Sequence, residues 1–178
     1  QYEYAQKRLN NRACIALEDY RIQTGTFNSI VSIEMFEAVG EKYWPVYFNK
    51  LKSLMASGGR AVVQTITISE EFFESYRKGG DAIRTFIFPG GMLPTLSRFK
   101  EESAKAGLRV VDRFAFGQDY TRTLERWLAS FESRLAEVRA QGFDEKFIRM
   151  WRFYLTCCIA SFRAGRTDVM QMELRHAA

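Results

Sequence analysis

The sequence predicts an α/β domain with a mostly parallel sheet and flanking helices. Three observations carry that expectation. Strand-like and helix-like stretches alternate along the 178 residues, as they do where crossover helices join parallel strands. The run RAVVQTITI at 60–68 is β-branched and reads as a central strand. Two long stretches near the end each keep their apolar residues on one helical face.

In chain order, residues 1–11 read as a helix already under way, with Tyr4, Ala5 and Leu9 on one side and no capping residue before them. ACIALE (13–18) is short and apolar, which suits a strand. FNSIVSI (27–33) reads as a buried strand. Residues 41–55 read as a helix, with Tyr43, Val46, Tyr47, Leu51 and Leu54 near its period. Ser57-Gly58-Gly59 reads as a turn into the central strand. Residues 69–88 suggest short helices, FPGGMLP (88–94) a loop, and 95–106 a helix stopped by Gly107. LRVVDRFAF (108–116) is strand-like. Tyr120, Leu124, Trp127, Leu128, Phe131, Leu135 and Val138 form one helical stripe; Phe147, Trp151, Tyr154, Leu155, Cys158 and Phe162 form the next. TDVMQMELR alternates like a last strand, and the final pair is the one place where an antiparallel arrangement fits.

Composition narrows the chemistry. Apolar residues make up 47% and charged residues 26%, a globular balance. No apolar run approaches the ~20 residues of a membrane helix. The net charge of +5 suits an ordinary mixed surface or attraction to anionic headgroups. No basic run interleaved with aromatics points to nucleic acid. Cys14, Cys157 and Cys158 make neither a disulfide framework nor a metal spacing, so a reducing, cytoplasmic setting is expected. The lone histidine, His176, lies at the end of the chain. Histidine-dependent hydrolase relays therefore have no candidate inside the fold.

Several segments carry polar groups where a ligand could use them. SIEMFEAVG puts Glu34 and Glu37 just beyond a strand, where ligands of open α/β sheets bind. Position alone leaves them open between holding a polar ligand and complementing a helix dipole. Gln64 and Thr65 lie within an apolar strand and need partners, in the core or in a cleft. Tyr120 and Cys158 suit core packing or an aromatic pocket that stabilises positive charge. FPGGMLP is apolar for a loop, which suits contact with a hydrophobic substrate or burial of its own side chains.

Taken together, QYEYAQKRL, LEDYR, IVSIEMFEAVGEKYW, GGRAVVQTITI, FIFPGGMLP, FGQDYTRTLERW and RMWRFYLTCCIASFRAGRTDVMQ resemble the cyclopropane-fatty-acyl-phospholipid synthase and mycolic acid cyclopropane synthase family. Single pieces are weak; their order and spacing make the resemblance specific. It implies a Rossmann-like methyltransferase fold and methyl transfer from S-adenosyl-L-methionine to the cis double bond of an unsaturated phospholipid acyl chain. The product would be a cyclopropane or a methyl- or methylene-branched chain. Loss of a proton to bound bicarbonate would complete the reaction, in an apolar cavity sheltering a carbocation.

The resemblance also assigns roles. Glu37, Tyr120, Ile66 and the position of Gln64 surround the ion, and Cys158 is a pocket cysteine. Gln1, Asp19, Tyr20, Ser32 and Ile33 face the cofactor. The loop residues Phe88, Gly90, Gly91, Met92 and Leu93 face the acyl chain. Gln64 departs from the pattern, because many members have histidine there. A glutamine donates a hydrogen bond but cannot relay a proton near neutral pH, which weakens the expectation of bicarbonate and of ring closure.

On this reading residues 1–178 are the C-terminal part of one methyltransferase domain. The first strand, its glycine-rich turn, the second strand and a further ion-site cysteine would lie upstream of Gln1. Open strand edges then predict dimerisation or strand exchange, and the lipid substrate predicts peripheral contact with the inner face of a membrane. Methylation of a small soluble acceptor and a non-catalytic binding domain of the same fold are the rival readings. The 178 residues alone are expected to bind S-adenosylmethionine poorly; calorimetry giving micromolar affinity is the contrary outcome.

Overall fold

Parallel pairing of two strands sets the frame. In a computed structural model, which describes residues 1–177, β1 (Phe27–Ile33) runs alongside β2 (Met55–Ile68), with Ile33 opposite Gln64. β4 (Thr167–His176) lies antiparallel on the other side of β2, and β3 (Leu108–Ala115) antiparallel beyond it. The order is β1-β2-β4-β3. The sheet is therefore mixed, with one parallel and two antiparallel pairings, and the expectation of a mostly parallel sheet is corrected. The final pair, β3 with β4, is antiparallel as expected; alternation along the chain does not reveal that β4 also enters between β2 and β3.

Both faces of β2 are covered, by different helices. Ala61 and Val63 point to the larger core, where α2 (Phe36–Val39), α3 (Trp44–Leu54) and α6 (Leu96–Lys105) pack. Phe36 is fully buried at its centre, its ring 4.9–5.5 Å from those of Trp44, Tyr47, Phe48 and Phe99. Such offset and edge contacts add to the burial of apolar area. Ile66 points the other way, into a smaller cluster built by α7 (Gly117–Ser133) and α9 (Glu145–Arg163) from Leu124, Leu155, Ile159 and Phe162.

Several elements differ from their sequence reading. The opening helix, α1, is Tyr2–Leu9, ended by left-handed Asn10, and buries none of its residues. Residues 13–18 are not a strand: no sheet partner reaches them, and Leu17 is exposed. β1 lies where expected but on an edge, with Val31 65% and Ile33 53% exposed, so it is not a buried strand. Ser57-Gly58-Gly59 is a bulge within β2 rather than a turn; the register jumps from Phe27–Met55 to Ser29–Arg60, with Gly58 at φ 73°. The 41–55 stretch begins as a short 3-10 turn, and the buried stripe of α3 is Trp44, Tyr47, Phe48 and Leu51, with Tyr43 and Val46 exposed. The first long helical stripe breaks at Arg134 and resumes in α8 (Leu135–Ala140).

The remaining elements match. α4 (Glu70–Lys78) and α5 (Ala82–Phe86) are the short helices; Asp81 caps the latter through its carboxylate. Residues 87–95 are irregular, and Gly107 turns the chain at φ 77°. No helix among the described residues is long and apolar enough to cross a membrane.

Because Phe36 links four aromatic rings under the turn that follows β1, Phe36→Ala should destabilise the fold by about 3–5 kcal/mol. Urea denaturation of the variant and the parent measures it.

Candidate active site

The end of β1 and the middle of β2 bring four of the polar residues together. Gln64 and Ile66 are two apart on β2 and so share a face. Glu34 directly follows Ile33, and its N–H donates to the Gln64 carbonyl at 2.9 Å. Glu34 then turns into the left-handed region, at φ 50°. For a residue with a side chain this conformation costs about 1–3 kcal/mol, and the turn directs the Glu34 carboxylate back over the sheet.

That carboxylate is held from two sides. The Gln64 amide donates to its Oε1 at 2.8 Å. The Tyr120 hydroxyl, from the first turn of α7, donates across both oxygens at 2.9 and 3.0 Å. These charge-assisted hydrogen bonds favour the left-handed turn over an extended one, in which the carboxylate would not meet both donors. A carboxylate only accepts, so Gln64 must present its NH2 to Glu34. Its Oε1 then faces β4, where Gln171, its register partner, donates at 2.9 Å. The result is one directed chain, Gln171 to Gln64 to Glu34, met by Tyr120.

Glu37 sits one helical turn on, at the start of α2. The Ile66 N–H donates to its Oε1 at 2.5 Å, while Oε2 is buried with no partner. Burial raises its pKa above the usual carboxylate value, an effect the Ile66 N–H partly opposes. The same element positions the glycine loop, since the Met92 N–H donates to the Glu37 carbonyl at 2.8 Å. Burial also raises the Tyr120 hydroxyl, with the Glu34 hydrogen bond next in weight, so it stays protonated and donates.

Aromatic side chains flank this group. Tyr120 lies 5.3 Å from Phe162 and 6.2 Å from Trp127. On α9, Tyr154 packs against Trp151 at 5.2 Å and Phe88 at 5.9 Å. Cys158, one turn beyond Tyr154, is pushed up to about 12 by burial, so it packs as a neutral thiol. Thr65 points to the opposite face and is buried.

Of the loop residues, Phe88 is exposed, Met92 is buried in the larger core and Leu93 packs against it. Gly90 takes φ 82°, and Gly91 is closed in, since a side chain there would meet the Phe88 carbonyl at 3.1 Å. Two surface concavities, of about 620 and 230 Å³, include none of Glu34, Glu37, Gln64 and Tyr120. Glu34 itself is exposed at the strand tips.

The five residues expected to face the cofactor are spread more widely. Ser32, on β1 beside Ile33, has a buried hydroxyl with no partner, and so does Tyr47 on α3. The Tyr20 ring lies 5.9 Å from that of Tyr47. Asp19 is turned onto its own neighbour, with Arg21 donating from its backbone at 2.9 Å and from its guanidinium; those bonds lower its pKa to about 2. Gln1 is exposed at the start of α1.

Glu34 is legible in the sequence as a carboxylate beyond a strand, but without a role in the ion site, and its backbone conformation is not legible. Gln171 lies outside the sequence-derived candidates; its one signal is that it is polar and shares its parity with Val169 in an alternating strand.

Burial of Glu37 sets a pH dependence. With its folded pKa above the unfolded one, its contribution to stability is fully present at low pH and is lost as pH rises through the folded value. Glu37→Gln removes that slope. Melting scans that start below the ordinary carboxylate value of 4.5 and move upward should show Tm of the variant gaining on the parent as pH increases, until Glu37 is ionised in the fold.

Comparison with known proteins places the chain in a family. The model for "Mycolic acid cyclopropane synthetase" matches residues 1–172. The tuberculostearic acid methyltransferase UfaA1 of Mycobacterium tuberculosis is 39% identical over 165 residues, covering 92% of this chain and 39% of that protein. The cyclopropane-fatty-acyl-phospholipid synthase of Escherichia coli K12 is 31% identical, covering 97% of this chain and 44% of its own. This chain thus spans less than half the length of both curated relatives. The crystal structure of the mycolic acid cyclopropane synthase CmaA1, complexed with SAH and CTAB, superposes with a TM-score of 0.86 at 25% identity, over 97% of this chain and 65% of that one. The chain belongs to the mycolic acid cyclopropane synthetase family.

Proposed function

We propose that the full-length protein transfers a methyl group from S-adenosyl-L-methionine to the cis double bond of an unsaturated phospholipid acyl chain. One observation carries the reading: a carboxylate, a phenol and an amide converge at the tips of β1 and β2, beside aromatic side chains of α7 and α9. Alkene methylation builds positive charge on carbon. Aromatic faces stabilise that charge, and a fixed acceptor beside it removes the proton. The names of the relatives support a lipid acceptor and this methyl donor.

Ser32 and Ile33 at the strand end, with Tyr20 against Tyr47, are the residues we assign to the methyl donor, and Gln1 and Asp19 its outer contacts. The unpartnered Ser32 and Tyr47 hydroxyls fit this role, because buried polar groups ordinarily find partners. Bound there, S-adenosylmethionine supplies an electrophilic methyl group. Phe88, on the exposed side of the glycine loop, guides the acyl chain towards Tyr154. Tyr120 and Gln64 hold charge in place, and Glu37 stiffens the β1–α2 turn through Ile66. The net charge of +5 favours approach to an anionic membrane face, which fits a cytoplasmic protein working at the inner leaflet.

The test is the full-length protein with isotopically labelled methyl donor and vesicles of unsaturated phospholipid, followed by analysis of the acyl chains. Label should appear as a cyclopropane or a one-carbon branch at the former double bond. Glu37→Gln and Tyr120→Phe, which loosen the turn and the hold on the charged group, should lower turnover by up to about 100-fold through misplacement. Label confined to small polar acceptors, or Glu37→Gln turnover equal to the parent, overturns the assignment.

A further inference from the structure

The ion site that the resemblance implies does not fit this chain. Bicarbonate is held by donors, and the two side-chain donors here, Tyr120 and Gln64, both point at Glu34. An added anion would have to displace or face a carboxylate on the same donors. Glu34 reaches them only because its backbone is left-handed, at φ 50°. Strained residues of this kind persist where the surrounding structure fixes them, and they cluster at functional sites.

We propose that Glu34 is the built-in proton acceptor of the reaction, standing where a bound anion would otherwise be needed. This rests on the lipid-methylation reading above. Its chemistry balances without a further reagent. The alkene π electrons form the new bond to the donor's methyl carbon as the donor's carbon–sulfur bond breaks onto sulfur. The acyl chain is left with a carbocation. Glu34 then takes a proton from the transferred carbon. The released C–H electron pair forms either an exocyclic methylene double bond or the third side of a cyclopropane. A proton beside a carbocation is acidic enough for a carboxylate to accept it.

Glu34 suits this role better than Glu37. Glu34 is exposed, and its Oε2 is shared only with the Tyr120 hydroxyl, which leaves that oxygen a free lone pair. Glu37 is enclosed behind the Ile66 amide. Gln64 and Tyr120 act as positioning residues, and Gln171 fixes the amide of Gln64. A glutamine in place of histidine then has a reason: with the carboxylate covalently present, the neighbouring group has only to donate to it.

The experiment uses the full-length protein in bicarbonate-free buffer, as wild type, Glu34→Gln and Glu34→Gly. Methyl transfer to unsaturated phospholipid vesicles and the melting temperature are both read with and without added bicarbonate. Wild-type turnover and Tm should be indifferent to bicarbonate. Glu34→Gln should lose about 100-fold in turnover, stay folded with at most a small fall in Tm, and show no response of Tm to bicarbonate. Glycine tolerates this φ, so Glu34→Gly should fold, free Tyr120 and Gln64, and gain a bicarbonate-dependent rise in Tm together with partial recovery of turnover. A wild-type protein that needs bicarbonate, a Glu34→Gln protein of parental turnover, or a Glu34→Gly protein whose Tm ignores the ion overturns the proposal. If the wild type methylates no lipid, the functional reading falls, and the Tm responses still decide whether Glu34 occupies the anion position.

Discussion

The pairing of Ile33 with Gln64 across two parallel strands is the constraint on which the site depends. It closes with the Glu34 N–H on the Gln64 carbonyl, which ends β1 and forces the next residue to turn. Because side chains alternate along a strand, a slip of one residue would send Gln64 and Ile66 into the opposite core. The hydrogen bonds of Glu34, the amide contact of Glu37 and the hold on the glycine loop all follow from this one register.

Two cores keep the register fixed from opposite faces. Phe36 anchors the turn after β1 in an aromatic cluster. Ile66 and Val169 anchor the other face against α7 and α9. Tyr120 belongs to the second system and Glu34 to the first, so their hydrogen bond joins the two packing units across the strand tips. The two carboxylates then differ by environment: Glu37 is enclosed behind the Ile66 amide, whereas Glu34 faces outward between two donors.

How much of this could be read in advance varies by element. β2 announced itself through its β-branched run, and the capped or glycine-stopped helices through their periodicity, because local pattern and tertiary role agree there. ACIALE failed because an apolar hexamer carries no information about whether a neighbouring strand exists. The antiparallel pairing of the last two strands was legible, whereas the exposure of β1 and the entry of β4 between β2 and β3 failed for a related reason: strand order is a property of the whole sheet.

The sequence by itself determined the α/β class through its patterning and the family through the order of its motifs, and that resemblance supplied the candidacy of Glu37, Gln64, Ile66 and Tyr120. Only the tertiary structure decided that Gln64 and Tyr120 meet on Glu34, that Gln171 supports them from the adjacent strand, and that Met92 goes to the core while Phe88 stays outside. Those outcomes depend on backbone direction at one left-handed residue and on pairing between positions 86 and 107 residues apart in the chain. Distances of that kind are closed by packing, and packing is a property of the folded chain.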